Sequence, residues 1–266
     1  MGREAILSID VGGTTTAAGL VTPQGEMLAY AQAATHSQGP GTVLDTLFEL
    51  ADGLAATAKA QGIALLGLGV GVPGVVDADR GVVGEDIKNV PELAGCPLAE
   101  RLAARYGVSA LVDNDVNLLA LGQWRFGAAR GSRSLVLLAL GTGVGGGIIL
   151  DGRLVRGAGG YGGELGCIPI NFDTSRVSAF GRGWLDSYVS GREIAETARQ
   201  RFPDLGDDIS AATVFQAARD GHAGARALVE EVCQALGAGL AIIVNALNPE
   251  VVLVTGGVAE SLIPME

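Results

Sequence analysis

Basic side chains are scarce. Eighteen Lys and Arg stand against 29 Asp and Glu, a formal charge of −11, and no Lys/Arg cluster forms a compensating groove, so nucleic acid is not an expected partner. The deficit does not disfavour a nucleotide, because backbone N–H groups and a metal ion can hold phosphates with few basic side chains. Cysteine is also rare: Cys96, Cys167 and Cys233 are far apart and odd in number, which argues against a disulfide framework. Uninterrupted apolar runs are missing too. The run over residues 134–150 is broken by Gly141, Gly143 and Gly145 to Gly147, so it does not read as a membrane span, and nor does any other stretch. The opening apolar stretch is interrupted by Ser8, closed by Asp10 and too short for a signal peptide. The expectation is a cytoplasmic chain with no membrane partner.

Apolar residues, by contrast, make up 48% of the 266 positions, enough to bury the cores of two domains. The 42 glycines fall at the ends of apolar runs, where strands meet turns, rather than in tracts. Residues 5–9 read as a strand, 10–16 as a turn and 17–21 as a second strand; residues 27–32 supply a third strand. Val43, Leu44, Leu47, Leu50, Leu54 and Ala55 then follow at helical spacing. A buried strand over 67–72 ends in Pro73-Gly74, a helix over 97–106 turns Leu98 and Leu102 inward, and a strand over 109–112 follows. The opening theme returns with strands over 135–140 and 146–150 around Gly141-Thr142-Gly143, the mark of a duplicated fold. Helices over 192–201, 211–219 and 223–247 and a strand over 251–254 lead into Thr255-Gly256-Gly257. The reading is an α/β chain with an N-terminal domain over 1–116 and a C-terminal domain over 117–266.

Ligand crevices of α/β sheets lie at the carboxyl ends of strands, where three glycine turns sit. In the first, Asp10 precedes Gly12, Gly13, Thr14 and Thr15: a strand-end carboxylate, glycines that let backbone N–H groups approach an anion, and hydroxyls that can donate to it. Thr142 and Gly143 belong to the second turn, and Gly256 and Gly257 offer a backbone surface to a purine. Any one of these turns could be purely structural; three in corresponding places favour a phosphate cradle. Between them stands Asp113-Asn114-Asp115-Val116-Asn117. Phosphoryl transfer to an alcohol uses a carboxylate to accept the hydroxyl proton and an amide to orient hydroxyls, which makes Asp115 the candidate base. The competing role for Asn114 or Asp115 is as the cap of a helix over 118–126.

These segments resemble the ROK family of sugar kinases and sugar-responsive repressors. Residues 10–16 match its first phosphate motif, 113–117 its catalytic segment, 140–147 its second phosphate motif, and Gly163-Glu164-Leu165-Gly166 its sugar-binding signature. The resemblance implies a duplicated ribonuclease H-like fold of the actin-like ATPase, hexokinase type, with two domains around a cleft. It implies ATP and Mg²⁺ as cofactors, a sugar or polyol as small-molecule partner, and a homodimer or homotetramer. By position, Asp115 is similar to the family's catalytic base, Asn114 and Asn89 to its hydroxyl-binding amides, and Glu164 to its sugar-binding glutamate. Gly74 takes the backbone-contact place beside the sugar.

The chain departs from the pattern in three places. Cys167 stands where the family has a zinc-binding and sugar-contacting histidine, and Val177, Ala179 and Trp184 where it has the zinc-binding cysteines. One thiolate cannot build a tetrahedral site, so no zinc is expected, and Phe172, Phe180 and Trp184 are the expected anchors of the loop over 171–183. Asp186 replaces a second sugar-contacting glutamate, shorter by one methylene; with Cys167 it points to an altered hydroxyl pattern such as an amino sugar, a cyclitol or a modified hexose. Family members also continue past Gly257 with a helix covering the first domain, where this sequence reaches Glu266; its lack would expose apolar surface and favour association. The leading expectation is an ATP-dependent sugar kinase. The alternatives are a catalytically silent sugar-binding regulator and, least favoured given the charge, a polyphosphate-dependent glucokinase.

Overall fold

The computed structural model describes residues 3–37, 39, 41–85, 87–172, 174, 176–178, 181–206 and 208–262. The chain forms two compact units: Met1–Leu119 with Arg156–Tyr161, and Ala120–Val155 with Gly162–Glu266.

The first unit opens with β1 (Glu4–Val11), β2 (Thr15–Val21) and β3 (Met27–Ala34). In β1, Ala5, Leu7, Ile9 and Val11 are buried, the period of two that places alternate side chains on one face of a sheet. Helix α1 (Val43–Ala60) buries Val43, Thr46, Leu47, Ala51, Leu54 and Ala58, the three-and-four spacing of one helical stripe. Then come β4 (Ala64–Val72), the small hairpin β5 (Val76–Asp77) and β6 (Val82–Val83), α2 (Leu98–Tyr106), β7 (Ala110–Asn114) and α3 (Asp115–Arg125). Leu98 and Leu102 are fully buried, as their spacing predicts. The sheet order is β3-β2-β1-β4-β7, with β1, β4 and β7 parallel. Register aligns Asp10 with Gly71 and Gly71 with Asp113.

The second unit repeats the scheme. Strands β8 (Leu135–Leu140), β9 (Val144–Leu150) and β10 (Arg153–Leu154) precede α4 (Asp186–Val189), α5 (Gly191–Arg201), α6 (Ala211–Arg219), α7 (Ala223–Leu247), β11 (Val251–Thr255) and α8 (Gly257–Leu262). Its sheet order, β10-β9-β8-β11, matches β3-β2-β1-β4: an antiparallel hairpin flanked by a strand parallel to its first member. This is the duplicated ribonuclease H-like fold. Ser210 and Thr213 form a reciprocal capping box on α6, and His222 Nδ1 accepts the Ala225 N–H at 2.9 Å to cap α7. By length and composition alone α7 is apolar enough to cross a membrane. Leu228, Val229, Val232, Ala235 and Ile243 on it are nevertheless buried in the core of this unit.

Three expectations change. Helix α3 begins at Asp115, three residues before the apolar stretch that marks it in the sequence, because Asn114 caps it: Asn114 Oδ1 accepts the Asn117 N–H at 3.0 Å. Strand β9 begins at Val144, two residues before the expected start, so Gly145, Gly146 and Gly147 are all paired to β8. Phe172 is not an anchor, being 89% exposed. The loop over 171–183 is held by polar contacts instead. Tyr188 Oη donates to Thr174 Oγ1 at 3.0 Å and accepts from Asn171 Nδ2 at 3.1 Å. The Arg176 guanidinium lies 4.6 Å from the Tyr188 ring centroid and pairs with Glu231. Trp184 is half-buried against Gly181; Ala179, Phe180 and Glu266 lie outside the described residues.

Candidate active site

Asp10 ends on β1, and the turn that follows is closed by the Gly12 N–H donating to Thr15 O at 3.0 Å. A Cβ on Gly12 would stand 2.7 Å from that same oxygen, so only glycine permits the turn. Two threonines brace it from below. Thr35 Oγ1 donates to Gly12 O at 2.6 Å and stands 3.0 Å from Thr16 Oγ1, and both residues are fully buried. The brace leaves Gly13, Thr14 and Thr15 exposed, with the Thr14 and Thr15 hydroxyls free of partners among the described residues. Asn89 packs on this turn: a Cβ on Gly13 would meet Asn89 Cβ at 3.4 Å.

Asp115 occupies the first turn of α3, its Oδ1 accepting the Val116 N–H at 2.9 Å. Burial, opposed by that hydrogen bond and reinforced by the charge of Asp10, pushes its pKa up to about 6. Burial of the Asp10 carboxyl raises its pKa as well, although part of the residue faces solvent. Gly71 makes room for both acids, since a Cβ there would stand 3.3 Å from Asp115 Cα and 3.7 Å from Asp10 Oδ1. Asp10 has no cationic partner among the described residues. Two carboxylates of uncompensated charge beside an open glycine turn fit a magnesium ion that brings its own waters and phosphate oxygens.

Asn114 spends its side chain locally. Nδ2 donates to Gly74 O at 3.0 Å while Oδ1 caps α3, and the side chain also acts on the neighbouring Asp115 carboxylate, lowering its pKa against burial. Gly74 itself has φ 83°, the left-handed region that favours glycine. The cap therefore falls on Asn114, and the partly buried carboxylate falls on its neighbour Asp115. An open hollow of about 540 Å³ in the same unit is lined by the β5–β6 hairpin and by Arg156 to Gly160; none of the predicted site residues lines it.

In the second unit, the turn after β8 and the turn after β11 meet. A Cβ on Gly256, φ 97°, would stand 2.5 Å from Leu140 O, which places Gly256 and Gly257 against the turn that carries Thr142 and Gly143. The carbonyls of Gly141 and Thr142 accept N–H groups of Gly191 and Arg192 at 2.8 and 3.4 Å, and the Thr142 side chain is exposed. Asp186, expected among sugar contacts, lies under this turn. Only 1% exposed, it accepts the Val144 N–H on Oδ1 at 3.0 Å, with Arg192 3.7 Å from Oδ2. Its burial raises its pKa against the opposing effects of those two groups. It shapes the turn rather than reaching a ligand.

Glu164 heads a short 3₁₀ turn, Leu165–Cys167, and burial of its carboxyl end raises its pKa while the residue keeps exposed surface. Its placement explains the glycine run of β9. A Cβ on Gly146 would stand 2.4 Å from Gly163 O, and one on Gly166 would stand 2.5 Å from Val144 O. The run therefore serves backbone-on-backbone packing next to Glu164. Cys167 is half-buried. Among the described residues no group of three or more His, Cys, Asp and Glu side chains could hold a metal ion. Residues that sequence reasoning missed are Thr35, Gly71 and Arg156; only the strand-interior Gly71 carried a signal, as a point of close approach.

The sequence profile of the ROK family matches residues 6–262. The glucokinase of Thermotoga maritima is 30% identical, the alignment covering 98% of this chain and 84% of that protein. Among solved structures, the ROK hexokinase of Thermus thermophilus has a TM-score of 0.83 at 30% identity, over 98% of this chain and 87% of that one. The ROK family glucokinase of Streptomyces griseus, in complex with glucose and AMPPNP, has a TM-score of 0.77 at 31% identity, over 97% and 84% of the two chains. Profile, sequence and structure agree over nearly the whole length, and the chain belongs to the ROK family.

Proposed function

We propose that this protein is an ATP-dependent kinase that transfers a phosphoryl group to a hydroxyl of a sugar or sugar-like polyol, with Asp115 as the general base. The observation that carries the reading is the Asp115 carboxylate: partly buried, accepting the Val116 N–H at the first turn of α3, and raised to about 6. A base near that value is ionised at neutral pH yet basic enough to take a hydroxyl proton as the bond to phosphorus forms. Similarity to glucokinases and to a glucokinase bound to glucose and AMPPNP supports sugar and ATP.

In this reading Glu164 accepts hydrogen bonds from sugar hydroxyls, Asn89 and Asn114 orient others, and the Gly74 backbone lies beside the ring. Gly12 shapes the first turn through its closing bond to Thr15 O, the exposed backbone of Gly13, Thr14 and Thr15 and that of Thr142 and Gly143 binds phosphate oxygens, and Gly256 and Gly257 bear the purine. Asp10 holds Mg²⁺, which when bound neutralises charge on the phosphates. Zinc has no place in the account: EDTA should stop turnover without lowering the melting temperature, and excess Mg²⁺ should restore activity. With Cys167 in place of an imidazole, one sugar hydroxyl loses a good hydrogen-bonding partner, which favours an amino sugar, a cyclitol or a modified hexose. The protein acts in the cytoplasm as a homodimer or homotetramer, a state that light scattering measures.

ADP release from Mg-ATP across a panel of hexoses, amino sugars and cyclitols tests the reading. Turnover on one class supports it and names the substrate. Silence across the panel with sugar still bound would replace it with a sugar-binding regulator.

A further inference from the structure

The segment Arg156–Tyr161 belongs to the first unit, although the chain on either side of it builds the second. Its first residue fastens it. Arg156 Nε and Nη2 both donate to Asp113 Oδ2, at 2.9 and 2.6 Å, and Asp113 is only 5% exposed. The other oxygen, Asp113 Oδ1, accepts the Asn114 N–H at 2.8 Å and Asn117 Nδ2 at 3.1 Å. From Asn114 the bonds continue to Gly74 O and to the Asn117 N–H, each at 3.0 Å. A continuous path thus runs from Arg156 through Asp113 to the residues that flank Asp115 on both sides.

We propose that Arg156 is a positioning residue for Asp115 and for the Asn114–Gly74 pair, acting through Asp113; the inference rests on the kinase reading above. Asp113 is buried and Arg156 holds its Oδ2, and a buried carboxylate stripped of its cationic partner is left uncompensated. It must then turn outward or draw in water, and either disturbs the two bonds made by Oδ1. The Asp115 carboxylate accepts the Val116 N–H at 2.9 Å and interacts with the Asn114 side chain, so its aim follows Asn114 and the first turn of α3. A purely mechanical role, in which the pair merely staples the segment down, would lower stability and leave the kinetics of the folded enzyme alone.

The test compares Arg156→Gln and Arg156→Lys in the full chain. The glutamine variant should lose about 10- to 100-fold in kcat, the penalty of misplacing a reacting group by around an ångström. Its KM for sugar should rise, because Asn114 and Gly74 shift, while its KM for ATP stays within about twofold. Lysine keeps a cation on Asp113 and should recover part of the loss. Amide hydrogen exchange at Asn114 and Asn117 should quicken in the glutamine variant and less so in the lysine variant. Exchange at Gly12 and Thr35, which bond to Thr15 O and Thr14 O, should not change. Unaltered kcat and sugar KM in a folded variant, or unaltered exchange at Asn117, would overturn the proposal. If the wild type phosphorylates nothing, the kinase reading fails, and exchange at Asn114 and Asn117 still decides whether Arg156 orders this turn. If the glutamine variant does not fold, the lysine variant decides by the same readouts, with a smaller kcat loss and a smaller rise in exchange.

Discussion

Asp115→Asn should make the protein more stable at neutral and alkaline pH while removing its base. In the folded chain the Asp115 carboxyl is raised from 3.8 to about 6, chiefly by burial and further by the charge of Asp10. A folded pKa above the unfolded one means that the neutral form is favoured in the fold. The associated stability is present in full below the unfolded value and is lost as pH rises through the folded one. The gap of about 2 units at about 1.4 kcal/mol per unit gives a penalty of about 3 kcal/mol for the ionised group near pH 8. Near pH 5 about half of it remains, and near the unfolded value almost none. Asparagine carries no charge, and its Oδ1 can still accept the Val116 N–H that Asp115 accepts at 2.9 Å. Urea denaturation of wild type and variant, without metal or nucleotide, should therefore show a gain of about 2–3 kcal/mol near pH 8 that shrinks toward pH 5. No gain near pH 8, or one independent of pH, would refute the claim that the ionised base is held at a cost.

The same carboxylate should govern activity: kcat/KM should fall below about pH 6 with a single-proton slope. Asp10→Asn removes a charge that raises the Asp115 pKa and should shift that limb to lower pH in whatever activity the variant retains. Thr35→Val deletes the hydroxyl that donates to Gly12 O at 2.6 Å; calorimetry should show a loss of about 1–2 kcal/mol, and the KM for ATP should rise as the first phosphate turn loosens. Gly146→Ala would press a methyl to 2.4 Å from Gly163 O and 2.7 Å from Leu165, so thermal unfolding should fall by the equivalent of about 1–3 kcal/mol, with Glu164 displaced and the sugar KM raised more than that of ATP.

Much of the fold was legible because it obeys short periods. Alternation in β1 and the stripe on α1 are written in neighbouring residues, and the repeated hairpin betrays the duplication. What escaped depends on long separations. Thr35 braces a turn 23 residues away, and Arg156 secures Asp113 across 43; neither lone residue carries a local pattern. The start of α3 was misplaced because Asp115, Val116 and Asn117 lack the apolar periodicity on which the reading relied, whereas the helix begins where its cap lies. Phe172 misled for the opposite reason, since hydrophobicity alone suggested an anchor where the loop is tied by Tyr188, Arg176 and Glu231. In the candidate site, residue types pointed to Asp115 and to the glycine turns, while Asp186 looked like a ligand contact until its burial placed it beneath Val144.

The most direct test of Asp115 as the base of a sugar kinase is single-turnover phosphoryl transfer from ATP labelled at its γ-phosphate, comparing wild type with Asp115→Asn on the sugar that the panel identifies. The account predicts a labelled phosphosugar from the wild type and a loss of at least about a hundredfold in the variant, with ATP and sugar still bound and the fold intact. A variant that transfers the label at near the wild-type rate would contradict it.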